Sequence, residues 1–173
     1  MMLASVIASP ARPVRELVVG DPLPFLQGQY LNGQRASLPQ DSSGRVALLM
    51  LGFTYQSRFA VEAWAKRFRQ DFGKQAGVTF FEIPMIGGLA RLGKWFIDSG
   101  MRRGTPTADY GNVITVYGGT DAWKQRVGFN DPNAAYLILI GRGSKVVWLQ
   151  AGSFAEEAYA GLSSNISRLL AGN

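Results

Sequence analysis

The segment Gly52-Phe53-Thr54-Tyr55-Gln56-Ser57-Arg58-Phe59-Ala60 lies between the apolar run Val46–Leu51 and a stretch with helical spacing. A strand, a short turn and a helix in that order carry the turn to the end of a sheet. The first N–H groups of the helix and its partial positive charge suit an anion there, and Arg58 adds a full charge. Thr54 or Ser57 also suits the plainer task of capping a helix over 58–73. None of these side chains is a strong nucleophile. The chain has 173 residues with no cysteine and no histidine. That removes thiol redox chemistry, disulfides, a Ser-His-Asp triad, imidazole acid–base work, and metal sites built on those side chains. Asp98, Asp109, Asp121 and Asp131 show no paired spacing suited to acid–base catalysis and read as caps and turn residues. Gly87-Gly88 and Gly118-Gly119-Thr120 lack the Gly-Lys-Ser/Thr ending of a phosphate loop. No cofactor or metal is implied.

The second candidate is cationic. Net charge is +6, spread along the chain, which serves solubility or meets an acidic partner. From Ile86 to Gly104, Leu89, Leu92, Trp95 or Phe96, and Met101 recur at three to five residues, while Arg91, Lys94, Arg102 and Arg103 add charge. The pattern predicts a basic amphipathic helix weakened by Gly93 and Gly100, with Trp95 as an exposed anchor. Such a surface suits a protein groove or an anionic membrane face. Nucleic acid is the less expected partner.

The elements that must position these groups are legible from periodicity. Hydrophobic residues make up 47% and charged residues 17%, in keeping with a single globular domain. No apolar run approaches the roughly 20 residues of a spanning helix. Residues 1–18 read as a flexible arm, whose Ser- and Arg-containing start leans toward an exported or organellar protein. Residues 19–173 form the domain. Asn32-Gly33 predicts the turn of an early, exposed hairpin. Val46–Leu51, apolar on both faces, predicts a central strand. In the following helix Phe59, Ala63 and Arg67 share one row and Trp64, Phe68 and Phe72 another, and the aromatics read as a broad buried stripe. Strands are expected over Val78–Ile83 and Asn112–Tyr117, with a short helix capped by Thr120-Asp121. Ala135–Ile140 and Lys145–Gln150 flank a tight turn. Ser153 and Glu156 predict a capping box for the last helix, whose apolar face is Phe154, Ala158, Leu162, Ile166 and Leu170.

This order resembles the thioredoxin fold in its extended redoxin form: an α/β domain with a mixed central sheet flanked by helices, an N-terminal hairpin and an inserted basic helix. The resemblance covers residues 20–172. In that superfamily the turn after the first core strand bears cysteines at a helix start. Here Gly52-Phe53-Thr54 is similar to the strand end of the Sco copper chaperones, and Gln56 and Ala60 stand at the cysteine positions, so neither thiol exchange nor copper binding is carried over. The superfamily's cis-proline loop corresponds to Asn130–Tyr136, with Asn133 at the proline position and Pro132 one residue early. The second half, Asn133–Ile140, Gly143, Val146-Val147-Trp148, Gly152 and Glu156-Glu157, resembles the signature of the assembly factor for the membrane sector of mitochondrial ATP synthase.

The resemblance implies a non-redox binding module of assembly or chaperone type near a membrane complex. Its surface would comprise Thr54, Tyr55, Gln56, Ser57, Arg58, Ala60, Pro132 and Asn133, with Arg91, Lys94, Trp95, Arg102 and Arg103 beside it. An extended peptide is expected to add to the proline loop by backbone pairing. Two other classes stay open from sequence: a thiol-independent enzyme using Tyr55, Ser57 or Arg58 on an anionic substrate, and a binder of anionic lipid or nucleic acid through the basic helix.

Overall fold

The computed structural model describes residues 13–87 and 100–172. Its centre is β3 (Val46–Gly52), every residue of which is buried. Alternation along this strand feeds two cores. Ala47, Leu49 and Leu51 face one of them, and Val46, Leu48 and Met50 face the other. A strand apolar on both sides can sit only in the middle of a covered sheet. Accordingly β3 pairs in parallel with β4 (Val78–Pro84) and antiparallel with β6 (Ala135–Ile140), which pairs with β7 (Val146–Gly152), giving the order β4-β3-β6-β7. The parallel pair is joined through α1 (Ser57–Phe72), as a crossover requires.

The predicted hairpin forms as β1 (Leu26–Tyr30) and β2 (Arg35–Leu38), with Gly33 at φ 89° in its turn. It is not simply exposed. Leu26, Ala36 and Leu38 are buried in the first core, and β1 also pairs with β5 (Ile114–Thr115). The strand expected over Asn112–Tyr117 shrinks to these two residues, because the chain before it coils into a 3-10 turn, Thr107–Asn112. The Asn112 side-chain amide in that turn donates to the Phe80 carbonyl. Isolated parallel bridges at Glu82–Val113 and Met85–Val116 then link β5 to β4.

Strand β1 approaches β5 unusually closely at Gly28. A Cβ there would lie 2.6 Å from Ile114 Cγ2 and 2.7 Å from the Thr115 carbonyl oxygen. Backbone cannot yield as a side-chain tip can. Gly28→Ala is therefore expected to cost about 2–3 kcal/mol through overpacking, read as a lowered denaturation midpoint with an unchanged far-ultraviolet spectrum.

Helices cover both faces. Helix α1 and α3 (Glu156–Ala171) pack on the second core through Trp64, Phe68, Tyr159, Leu162 and Ile166. Helix α2 (Thr120–Arg126) covers the first core with Trp123. Neither predicted cap forms at α2 or α3. Gly119, at φ 69°, begins α2 with no side-chain cap, so Thr120 and Asp121 lie inside the helix. Ala155 begins α3, and Glu156 turns instead to Arg67, 2.8 Å away on α1. The helix begins two residues later than the capping box requires, which leaves Ser153 outside it. Residues 13–18, expected in the flexible arm, run against α2, where the Leu17 amide donates to the Arg126 carbonyl and Arg15 pairs with Asp21. Residues 1–12 lie outside the described residues. Among the described residues no helix is long and apolar enough to cross a membrane.

Candidate functional site

The turn 53–56 stands at the C-terminal end of β3, and its shape follows from four hydrogen bonds. The Ser57 hydroxyl donates to the Thr54 carbonyl at 2.8 Å and accepts from the Thr54 amide at 3.1 Å. The Ser57 amide, in turn, donates to Thr54 Oγ1 at 3.1 Å. Both predicted capping residues are thus used, each on the other's backbone. Gly52 makes room for this, since a Cβ there would lie 2.7 Å from Ser57 Oγ. The fourth bond reaches across 78 residues of chain: Thr54 Oγ1 donates to the Pro132 carbonyl at 2.5 Å.

The 130–133 loop is itself built from below. Tyr136, buried on β6, accepts the amides of Asn130 and Asp131, each at 2.9 Å. Its ring meets Phe53 at 5.7 Å and Phe129 at 5.6 Å, and those two rings meet edge-on at 5.3 Å. The Asn133 amide donates to Asp131 Oδ1 at 2.8 Å. Two separate loops, 54–58 and 131–133, are thereby locked into one face.

Of the residues expected there, Thr54, Tyr55, Gln56, Arg58, Pro132 and Asn133 are exposed. Ser57 and Ala60 are not. Ser57 is wholly buried and Ala60 nearly so, because both lie on the side of α1 that packs on the sheet. The Ser57 hydroxyl is spent on the turn and offers no nucleophile to a ligand. Asp131–Pro132 is trans, and the single cis bond among the described residues is Leu38–Pro39. Backbone pairing with an incoming peptide is not favoured at this loop, where the Pro132 carbonyl and Asn133 amide are already engaged internally. What the face presents is side chains.

Those side chains form one cluster. Tyr55 is 69% exposed and Phe59 52%. Their rings meet edge-on at 6.4 Å. The Arg58 guanidinium carbon lies 4.5 Å from the Tyr55 ring centroid and 4.7 Å from that of Phe59. Stacking of this kind holds an arginine without neutralising it. Phe59 was expected in the buried stripe and is instead the second aromatic of the face. The signal in the sequence was two turns on: the same helical row runs through the small Ala63 to the charged Arg67, and Ala63 is exposed.

Of the predicted basic helix, only the end is described. Arg91, Lys94 and Trp95 lie outside the described residues. Residues 100–104 are helical, and Arg103 is exposed. Arg102 donates to the Leu31 carbonyl at 2.8 Å, at the turn of the β1–β2 hairpin. Strands β4 and β5 intervene between that hairpin and β3. Arg102 is thus a structural tie and does not join the Tyr55–Arg58–Phe59 cluster. Among the described residues no group of three or more acidic side chains is placed to hold a metal ion.

No family model matches the chain, and no curated protein does. Solved structures do. A protein assigned as thiol:disulfide interchange protein DsbE from Chlorobium tepidum matches with TM-score 0.62 at 17% identity, over 90% of this chain and 99% of that one. The fold is thioredoxin-like. The thioredoxin domain of a thiol-disulfide oxidoreductase from Bacteroides vulgatus matches with TM-score 0.59 at 16% identity, over 87% of this chain and 99% of that one. A peroxiredoxin-like protein from Aquifex aeolicus matches with TM-score 0.55 at 17% identity, over 87% and 89%. The present thioredoxin-like chain differs from what those names describe in having no cysteine anywhere. Thiol exchange by its own side chains is therefore closed to it.

Proposed function

We propose that this thioredoxin-like chain is a non-redox binding module, an assembly or chaperone-type factor whose partner is a protein subunit of a membrane complex. The observation that carries the reading is the exposed Tyr55–Arg58–Phe59 cluster on a preformed turn. Large aromatics and arginine are the side chains that dominate binding energy at protein interfaces. Here they are held on a rigid base, which lowers the ordering cost of association. Gln56, Pro132 and Asn133 complete the face. The likeness of residues 133–157 to the ATP synthase assembly-factor signature supports a membrane complex as the setting.

The enzyme reading has less behind it. Ser57 is buried and committed, and the Arg58 guanidinium is sandwiched between rings rather than poised over a cavity.

A photo-crosslinking residue at position 55 or 59, used in native membranes, is expected to yield a discrete adduct with one membrane-complex subunit. The same residue at Lys74, beyond the far end of α1, serves as control. Tyr55→Ala with Phe59→Ala should weaken binding of the purified subunit at least tenfold without lowering thermal stability, since both rings are largely in solvent. Identical adducts from position 74, or binding indifferent to the double substitution, would contradict the proposal.

A further inference from the structure

A second feature lies on the hairpin side of the molecule. An open cleft of about 540 Å³ runs between β1 and the segment leading into α2, with Phe25, Gly28, Gly118, Gly119, Trp123 and Arg126 among its walls. That volume falls within the range of small-molecule sites. Its composition is unusual in two ways. Phe25, on one lip, is 57% exposed although it adjoins the core strand β1. Arg126, on the other, is partly buried and stacks 5.0 Å from the Trp123 ring centroid.

Among the described residues Arg126 has no carboxylate partner. Arg15, Arg67 and Arg69 each meet one within 3.1 Å. The Glu16 carboxylate lies against Gly128, two residues on, yet no ion pair to Arg126 forms among the described residues. A cation drawn partly out of water gains from the Trp123 ring but keeps its full charge and its donors for an anion. Burial alone shifts its pKa, downward, as expected for a charge lacking a counter-ion.

From Arg126, which has no ion pair among the described residues, the Trp123 ring beneath it and the exposed Phe25 across the cleft, we infer that this is a binding site for a small anion with a flat aromatic body. The carboxylate or phosphate faces Arg126, where the planar guanidinium offers paired donors. The ring lies against Phe25. The glycines opposite keep the space open: a Cβ at Gly118 would meet nothing within 4 Å. The site is separate from the Tyr55–Arg58–Phe59 face and does not depend on the role proposed for it.

The test uses the full chain and three probes that share one ring system: naphthoate, naphthyl phosphate and the uncharged naphthalenemethanol. Titration calorimetry should show saturable binding of at least one anion with Kd below about 1 mM, at least tenfold tighter than the alcohol. The better of the two anions separates a carboxylate ligand from a phosphate ligand. Arg126→Gln should abolish the preference for the anion. Phe25→Ala, at a site too exposed to matter for folding, should weaken both anions several-fold. The Trp123 indole resonance should move on titration in the wild type. Absence of binding by either anion, equal binding of the alcohol, or affinities unchanged in Phe25→Ala would overturn the inference.

Discussion

Truncating Trp64 to alanine is expected to cost about 3–5 kcal/mol of folding stability, the range for removing a large buried aromatic. Trp64 is fully buried on α1. Its ring meets Phe154 at 5.2 Å, Tyr159 at 6.2 Å and Trp148 at 6.4 Å, so one side chain ties α1 to β7 and α3. Its indole N–H donates to the Gly152 carbonyl at 3.3 Å, and truncation leaves that acceptor without this donor. A loss of this size is a large fraction of a typical domain's stability. It should appear as a lower urea midpoint with the slope retained. Because Arg58 and Phe59 lie in the first turn of α1 and Tyr55 in the turn before it, partner binding should weaken in step with the folded fraction and no further. A Trp64→Ala protein as stable as wild type would mean that the α1–β7–α3 aromatic cluster does not hold the second core together.

The other large effect concerns Glu82. On β4 this carboxyl is 17% exposed and lies 2.9 Å from Arg69 of α1. Burial pushes it up to about 7 from an ordinary 4.5, the Arg69 charge opposing and the Glu62 and Asp109 carboxylates reinforcing the rise. The folded chain therefore holds this proton over a range in which the unfolded chain has released it. The stability it contributes is fully present below about pH 4.5 and is lost as pH rises through about 7. The whole change amounts to at most about 3 kcal/mol. Glu82→Gln keeps the shape and removes the titration. The variant should lose the downward slope between pH 4.5 and 7 and exceed wild-type stability at pH 8. Denaturant unfolding of both proteins across that range provides the measurement. Parallel wild-type and variant profiles would show that Glu82 titrates normally.

The sites that escaped sequence reading share one cause. A capping box is a local pattern, and Ser153 with Glu156 satisfies it. In the folded chain the helix begins two residues later, after Ala155, and Glu156 pairs with Arg67, 89 residues away in sequence. Arg102 reads as a free cation on a basic helix until the hairpin carbonyl of Leu31 comes within reach. Phe59 reads as core because aromatics at helical spacing usually are, yet α1 spends its buried face on Trp64 and Phe68. Arg126 carried no signal at all, since a lone arginine in a short helix is ordinary until its neighbours are known.

The amino-acid sequence by itself determined the chemistry that is closed to this protein and the scaffold it adopts. A chain without cysteine or histidine cannot perform thiol or imidazole chemistry in any conformation. The two-faced apolar runs at 46–51 and 135–140 can be satisfied only as central strands under helices on both sides. The tertiary structure alone decided which polar groups are left over. Thr54 closing on Pro132, Arg67 on Glu156 and Arg102 on Leu31 are contacts between segments remote in sequence, and partner availability is a property of space, not of spacing. For that reason the face at Tyr55, Arg58 and Phe59 and the Arg126 charge, which has no ion pair among the described residues, emerge only once the chain is folded.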